Sequence, residues 1–298
     1  MENVIKNRYE FVMLFDVENG NPNGDPDAGN MPRTDPETGY GIVTDVCLKR
    51  KIRNYVELCK EGEAGYNILI KGDRSLNSKF TASFEAVGNP PADERRKNKQ
   101  VGKDTPIEYQ NKAKKYICEN YFDVRTFGAV MQTGEDWCGV VRGPVQINFA
   151  KSVDPVFTSE ITITRQAKTT EDRQSQGGNT EMGKKSFVPY GLYRTEGYVS
   201  ASLAQKVTGF SEDDLELLWS AIINMFENDH SAARGKMCLR KLFVFKHSSV
   251  LGNAPSHILF DKIKVTNNDP AKPPRCFGDY TVSVDKDMPD GVELICRI

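Results

Sequence analysis

The chain has 298 residues, 38% hydrophobic and 27% charged, with a net charge of −1, a composition that supports one large core or two small ones. No apolar run approaches a bilayer span and the N-terminal MENVIKNRYEF lacks a signal pattern, so membrane-spanning and exported classes fall away. Seven cysteines lie singly, without a CxxC pair, which fits reduced thiols in a cytoplasm better than zinc or disulfides.

Residues 9–17, YEFVMLFDV, form a nearly continuous apolar run, as a strand buried on both faces would. The loop 16–32, DVENGNPNGDPDAGNMP, alternates Asn, Gly and Pro too densely for helix or ladder; so long a connection carries function or stays disordered. Thr44 then caps a helix over 45–60, with Asp45 at its positive end and Gly62 as its stop. Val46, Ile52, Tyr55, Val56 and Cys59 approximate its apolar face, which sends Lys49, Arg50 and Arg53 toward solvent or a ligand.

The small net charge hides segregation along the chain. Residues 16–45 carry seven acids against Arg33, whereas 49–53, KRKIR, holds four cations. Segment 95–115 has eight cations against Asp104 and Glu108, and 236–246 has four and no acid. Such faces bind phosphates within a Debye length of about 8 Å, or are simply solvated.

Residues 63–122 read as an inserted, partly helical region with a weak core of its own, broken at the GNPP of 88–91. The segments 123–131 (DVRTFGAVM) and 143–150 (GPVQINFA) read as a hairpin pair. Polar residues 165–186 suggest an arm projecting from a sheet. Ser211 caps a helix in which Leu215, Leu218, Trp219, Ile222, Ile223 and Phe226 recur at i, i+3, i+4 spacing. A strand at 239–246 and a C-terminal pair, YTVSV and VELICRI, close the chain.

Strand, helix, strand, strand, helix, strand is the α+β, ferredoxin-like order, whose four-stranded face is the one that RNA-recognition motifs use. RTFGAVMQ (125–132) matches the first ribonucleoprotein signature at Arg125, Phe127, Gly128 and Val130. It lacks two of the signature's three aromatics, so Phe127 either stacks on one base or is a buried strand residue beside a bulge.

Catalytic patterns are sparse. Loop 19–30 departs from a calcium loop at Asn19 and Asn30, where Asp and a bidentate Glu are needed. Asp16, Asp25, Asp27 and Asp35 either hold magnesium or form turns. His230, His247 and His257 have no spaced carboxylate or second His beside them, and Walker, GxGxxG and GxSxG patterns are missing.

The blocks NRYEFVMLFDVENGNPNGDPDAGNMPR, TDVCLKRKIRNYVE, RTFGAVM, VRGPVQINFA, FVPYGLY and SAARG together resemble the backbone subunit of type I CRISPR surveillance complexes (Cascade), in the type I-C branch of the RAMP proteins. The resemblance spans nearly the whole chain. It implies a hand-shaped, non-catalytic protein: a ferredoxin-like (RRM-type) palm over 1–62, 123–164 and 187–298, a helical finger insertion over 63–122, and a β-hairpin thumb over 165–186. Copies polymerise along one CRISPR RNA and display its bases to target DNA, beside other Cascade subunits; no cofactor or metal is expected.

Carried onto this sequence, the resemblance makes Lys49, Arg50 and Arg53 guide-phosphate ligands, with Lys51 pointing elsewhere on the helix. Asn21, Asn23 and Gly24 offer amide donors; Ser231 and Arg234 join them; Arg125 and Arg142 either do so or pair with structural acids. In the arm, Met182 wedges between bases while Lys184 and Lys185 meet phosphates. A guide holder must accept any sequence, so it should grip phosphate and sugar and leave base edges free. The runner-up reading is an endoribonuclease on the same fold, acting through the Asp loop and His230 or His257; the third is a protein-binding scaffold.

Overall fold

The structure, a computed structural model, describes residues 3–88, 107–134, 136–165 and 181–298. Its centre is β1 (Tyr9–Gly20), and Phe11, Met13, Phe15 and Val17 project from one face while Val12 and Leu14 project from the other. Both sets are buried, as the apolar run required.

After β1 come β2 (Tyr40–Val43) and α1 (Asp45–Lys60). The α1 cap is built in two layers: Thr44 Oγ1 accepts from Cys47 N at 3.3 Å, and Asn23 Oδ1 accepts from both the N–H and the hydroxyl of Thr44. The buried face of α1 is Leu48, Ile52 and Val56, with Tyr55 packed beside it; Ile52 and Val56 lie on the expected face, whereas Leu48 replaces Val46 in it. Val46 is 68% exposed and Cys59 is exposed, because an i, i+4 stripe centred on Leu48 fits the sheet and brings Lys51 and Arg53 inward with it.

The insertion contributes α2 (Leu76–Ala86) and α3 (Ile107–Asn120), whose Phe80, Phe84, Ala113 and Ile117 form a separate core with Val124, Met131 and Val141. Residues 89–106, which hold most of the GNPP break and part of the basic 95–115 segment, lie outside the described residues. Next comes a correction to the expected hairpin. Residues Phe122–Phe127 are a short helix, α4, followed by β3 (Gly128–Met131), which pairs with β4 (Gly139–Arg142). Tertiary anchors override the strand-like pattern: the Asp123 carboxylate accepts from Leu69 N, Ile70 N and Arg53 Nε at 2.8–3.0 Å, and Gly128 ends the helix at φ +79.

The remaining strands are β5 (Val145–Ile147), β6 (Ala150–Pro155), β7 (Ser159–Arg165) and the 19-residue β8 (Glu181–Val199). Then follow α5 (Glu212–Asn224), β9 (Lys236–His247), the short α6 (Ser256–Phe260), β10 (Ile263–Asn267), β11 (Tyr280–Val284) and β12 (Val292–Cys296). The Ser211–Asp214 capping box starts α5, whose Leu215, Leu218, Trp219 and Ile222 pack on β1; Phe11 meets Trp219 edge to face at 5.4 Å.

The large sheet is antiparallel, in the order β12-β9-β1-β8-β6-β2, with β5 and β7 also pairing with β8. Helices α1 and α5 cover one face. Leu259, Phe260, Ile263 and Tyr280 cover the other, over Val12, Leu14, Phe243 and Phe245. The sheet face that an RNA-recognition motif would offer to bases is therefore filled by the C-terminal extension. Within that extension the strand pairs also differ from expectation: β11 pairs with β10, and β12 pairs with the sheet edge at β9. Among the described residues no helix is long and apolar enough to cross a membrane.

The start of β1 is tied to the end of β9 by a buried group that sequence spacing did not reveal. His247 accepts from Asn253 N on Nδ1 and so donates from Nε2 to Glu10, which also takes Ser256 Oγ and the guanidinium of Arg8. Burial pushes the Glu10 carboxyl up, but His247, Arg8 and Ser256 together hold it below the ordinary glutamate value. A depressed folded value stabilises the fold above the unfolded value, and that stability is lost as pH falls through the folded one. Glu10→Gln should therefore flatten the acid limb of a Tm-against-pH curve; an unchanged limb would place the acid sensitivity elsewhere.

Candidate nucleic-acid interface

Two sequence blocks far apart in the chain, ENGNPNG and SAARG, meet at the C-terminal end of β1. Asn21 N donates to Ala233 O at 2.8 Å. A Cβ on Gly20 would lie 1.8 Å from the Arg234 carbonyl oxygen, and one on Gly235, at φ +63, would lie 2.4 Å from Asn19 O. Only glycine permits this approach of backbone to backbone. Gly20→Ala should part the two loops and cost about 1–3 kcal/mol, the range for forced overpacking. A urea midpoint within error of wild type would show that the loops are not coupled.

Asp229 holds the second loop from below. Its carboxylate takes both the Lys51 ammonium and the Arg234 guanidinium, and Ser231 Oγ accepts from Arg234 N at 3.3 Å. Lys51 thus links α1 to the turn at 229–235.

Against this junction stands the base of the arm. Strand β7 pairs with the first residues of β8 from Arg165↔Glu181 to Ser159↔Phe187, so the arm is a direct extension of a core strand. Its tip, 166–180, with the Gly177-Gly178 pair, lies outside the described residues, as does the Met182 side chain; the Met182 backbone pairs with Thr164. Between arm and junction is a cleft of about 550 Å³ lined by Asn19, Asn21, Asn30, Lys184, Lys185 and Ala233. Asn19 and Asn30 adopt positive φ, 51 and 63. Asn21 Nδ2 donates to Asn30 O at 2.7 Å, and its buried Oδ1 has no hydrogen-bond partner among the described residues. Lys184 reaches Glu160 at 2.7 Å yet stays 70% exposed.

The structure thus gathers Asn21, Lys184 and Lys185 at one cleft, with Ser231 and Arg234 in the loop that walls it. It distributes the other expected ligands differently. Asn23 caps the capping residue of α1, and Gly24 packs where a Cβ would lie 2.0 Å from Asn30 Oδ1. Lys49 pairs with Asp45 at 2.8 Å and Arg53 with buried Asp123 at 2.8 Å. Both cations sit over the Phe127 ring, at 5.6 and 5.3 Å. Phe127 itself ends α4 and is 7% exposed, so it is a core residue and no stacking platform. Arg125 is buried in a bidentate pair with Asp214. Arg142 lines a separate depression with Arg8, Gln146 and Leu251. Of the KRKIR cations, Arg50 is exposed and has no ion-pair partner among the described residues.

Sequence reading missed Asn19, Asn30 and Asp229. The Asn-Gly and Gly-Asn steps signalled positive φ at the first two; nothing local marked Asp229, whose partner Lys51 is 178 positions away.

The Asp loop divides into separate structural roles. Asp16 is buried against Tyr190 Oη, at 3.0 Å, and the Arg240 guanidinium, at 2.8 Å; burial pushes its carboxyl up against the pull of these partners. Asp25 caps a turn at Asp27 N, and Asp35 accepts from Glu37 N and Thr38 Oγ1. Among the described residues no three His, Cys, Asp or Glu side chains converge as a metal cage would need.

Known proteins are similar to this chain in sequence and in fold. The chain is 29% identical over 241 residues to a CRISPR-associated protein Cas7 of Haloferax volcanii, covering 73% of this chain and 65% of that relative's length. A solved chain described as "CRISPR RNA-guided surveillance complex, pre-nicking" superposes with a TM-score of 0.50 at 15% identity, covering 80% of this chain and 78% of its own, a likeness of fold. The profile of CRISPR-associated protein Cas7 matches residues 7–285. On that span of match, the chain belongs to the CRISPR-associated protein Cas7 family.

Proposed function

We propose that this chain is a non-catalytic backbone subunit that binds CRISPR RNA through its sugar-phosphate chain, in the type I-C manner, and lines up in copies along it. The observation that carries the reading is the cleft at the arm base, whose lining brings Lys184 and Lys185 together with Asn19, Asn21 and Asn30. Lysines suit phosphates, which carry no base sequence. The order β9-β1-β8-β6, with α1 and α5 on one face, supports a ferredoxin-like palm. The insertion with α2 and α3 is then the finger and the β7–β8 arm the thumb. Guide bases left free pair with target DNA, in a cytoplasmic assembly with other subunits.

Of the residues behind the nuclease alternative, Asp16 is enclosed by Tyr190 and Arg240, whereas His230 and His257 are exposed, so a cleavage assay decides between the two readings. The test is purification from cells that carry a CRISPR array, followed by sequencing of bound RNA and incubation with labelled RNA and magnesium. Repeat-flanked guide RNA that remains intact is the expected result. A cleavage ladder that Asp16→Asn abolishes without unfolding would replace the reading with the nuclease.

A further inference from the structure

We propose that copies of this chain dock head to tail, with the exposed Phe157 of one copy seated in a lysine-rimmed apolar groove at the opposite end of the next. The inference rests on the reading that copies share one RNA, and it assigns the protein surfaces by which they touch.

The groove, about 690 Å³, lies between α3, β4 and the helical turn that precedes Gly209. Val140 and Val207 in its lining are 50% and 47% exposed, and Lys114, Lys115 and Lys206 stand along it with Glu119, which offsets Lys115 and leaves Lys114 and Lys206 as its basic rim. At its floor Thr208 is 5% exposed, with an Oγ1 that has no hydrogen-bond partner among the described residues. Ala204–Thr208 is a π turn closed by Gly209 N to Ala204 O at 2.8 Å, a conformation concentrated at functional sites. Two half-exposed valines in one concave, lysine-rimmed depression are apolar area that a second surface covers.

The complement lies on the same chain. Phe157, in the connection from β6 to β7, is 76% exposed, among the most exposed large apolar side chains described. The connection, DPVFTSE, carries Asp154 and Glu160 and no cation. The turn containing Asp35 and Glu37 lies alongside it, joined by Val156 N to Gly39 O at 2.9 Å. Lys184 offsets Glu160, which leaves Asp35 and Glu37 as the acidic rim facing a basic groove. An aromatic anchor inside a charged rim is the usual anatomy of a contact hot spot.

The two surfaces lie at opposite ends of the sheet. Val4, in the groove, bridges to Ser211 just before β1 begins. Phe157 follows Pro155, near where β6 pairs with β8 at Ser152↔Tyr193, opposite Phe15 in the far half of β1. Tyr9 to Phe15 is six residues, roughly 20 Å at about 3.3 Å per residue, and Pro155, at the end of β6, and Phe157 lie beyond that point. Contacts between different patches at opposite ends are heterologous, so they propagate into a line instead of closing into a dimer.

Phe157→Ser removes the knob and Val207→Glu blocks the hole; both sites are exposed, and circular dichroism confirms that the variants fold. Binding is measured on an RNA long enough for one copy and on one long enough for several. Each variant should keep wild-type affinity for the short RNA and lose roughly thirtyfold or more on the long one, the effect of truncating a hot-spot aromatic. An equimolar mixture of the two retains one good knob and one good hole, so sedimentation should show pairs and no longer species. A variant that assembles like wild type, or a mixture that fails to pair, overturns the proposal. The mixture is also run at high concentration without RNA: pairing there, with no wild-type RNA binding on either length, would uphold the docking and fail the RNA reading.

Discussion

Arg125→Ala is expected to cost about 3–5 kcal/mol in urea denaturation, the penalty for breaking a buried ion pair by removing one partner. The guanidinium forks onto both oxygens of Asp214 at 2.8 and 2.7 Å and donates from Nη1 to the carbonyls of Gly65, at 3.0 Å, and Cys118, at 2.9 Å. Asp214 also closes the cap of α5 by accepting from Ser211 N at 2.9 Å. One side chain therefore joins α3, α4, α5 and the segment after α1. Its loss leaves the buried Asp214 carboxylate without a countercharge and with only Ser211 N as a donor, and takes a donor from the Gly65 and Cys118 carbonyls. Arg125→Lys keeps the charge but lacks the fork, so it should fall between wild type and alanine. Because Asp214 shares the network, the double variant should cost less than the sum of the singles. A loss below about 1 kcal/mol would mean that water replaces the guanidinium, contrary to its burial. RNA affinity per folded molecule should not change, which separates this arginine from a phosphate ligand.

What sequence made legible depended on how local its cause was. Strand β1 was readable because burial on both faces needs an unbroken apolar run. Helices α1 and α5 were readable because Thr44 and Ser211 sit within three residues of the amides they cap. The fate of the charges was not. KRKIR reads as a basic face, yet Arg53 is neutralised by Asp123 and Lys51 by Asp229, which lie 70 and 178 positions away. On α1 the expected face is right at Ile52 and Val56 but takes Val46 in place of Leu48, although Leu48 is the one that lies at i, i+4 and i+8 with them. Segment 122–127 alternates like a strand but coils, since Asp123 and Arg125 are each fixed by distant partners.

The same distinction explains the site. Both loops that form the junction were conspicuous by their Asn and Gly content, but their contact is a tertiary event at the end of β1. Basic residues engaged with internal acids hold the junction in shape, and those left outside, Arg50, Lys184 and Lys185, carry the charge available to a polyanion.

Replacing Arg50, Lys184 and Lys185 together by alanine should therefore weaken binding to every RNA sequence alike, with little cost in stability. Lys184 is 70% exposed and its pair with Glu160 is a surface one, so the fold should change by no more than about 0.5 kcal/mol per site. A single strand releases about 0.7 counterion per phosphate contact, so three lost contacts should reduce the slope of log K against log salt by about 2. Lys49→Ala and Arg53→Ala should leave that slope nearly unchanged, because their charges face Asp45 and Asp123; Arg53→Ala should instead lower the urea midpoint. The contrast between the two sets is the informative result. If the slope fell with Arg53 and not with Arg50, Lys184 and Lys185, the RNA path would follow the inward face of α1 and not these three side chains. If affinity fell for some sequences only, the protein would be reading bases, and the sugar-phosphate grip would be the wrong account.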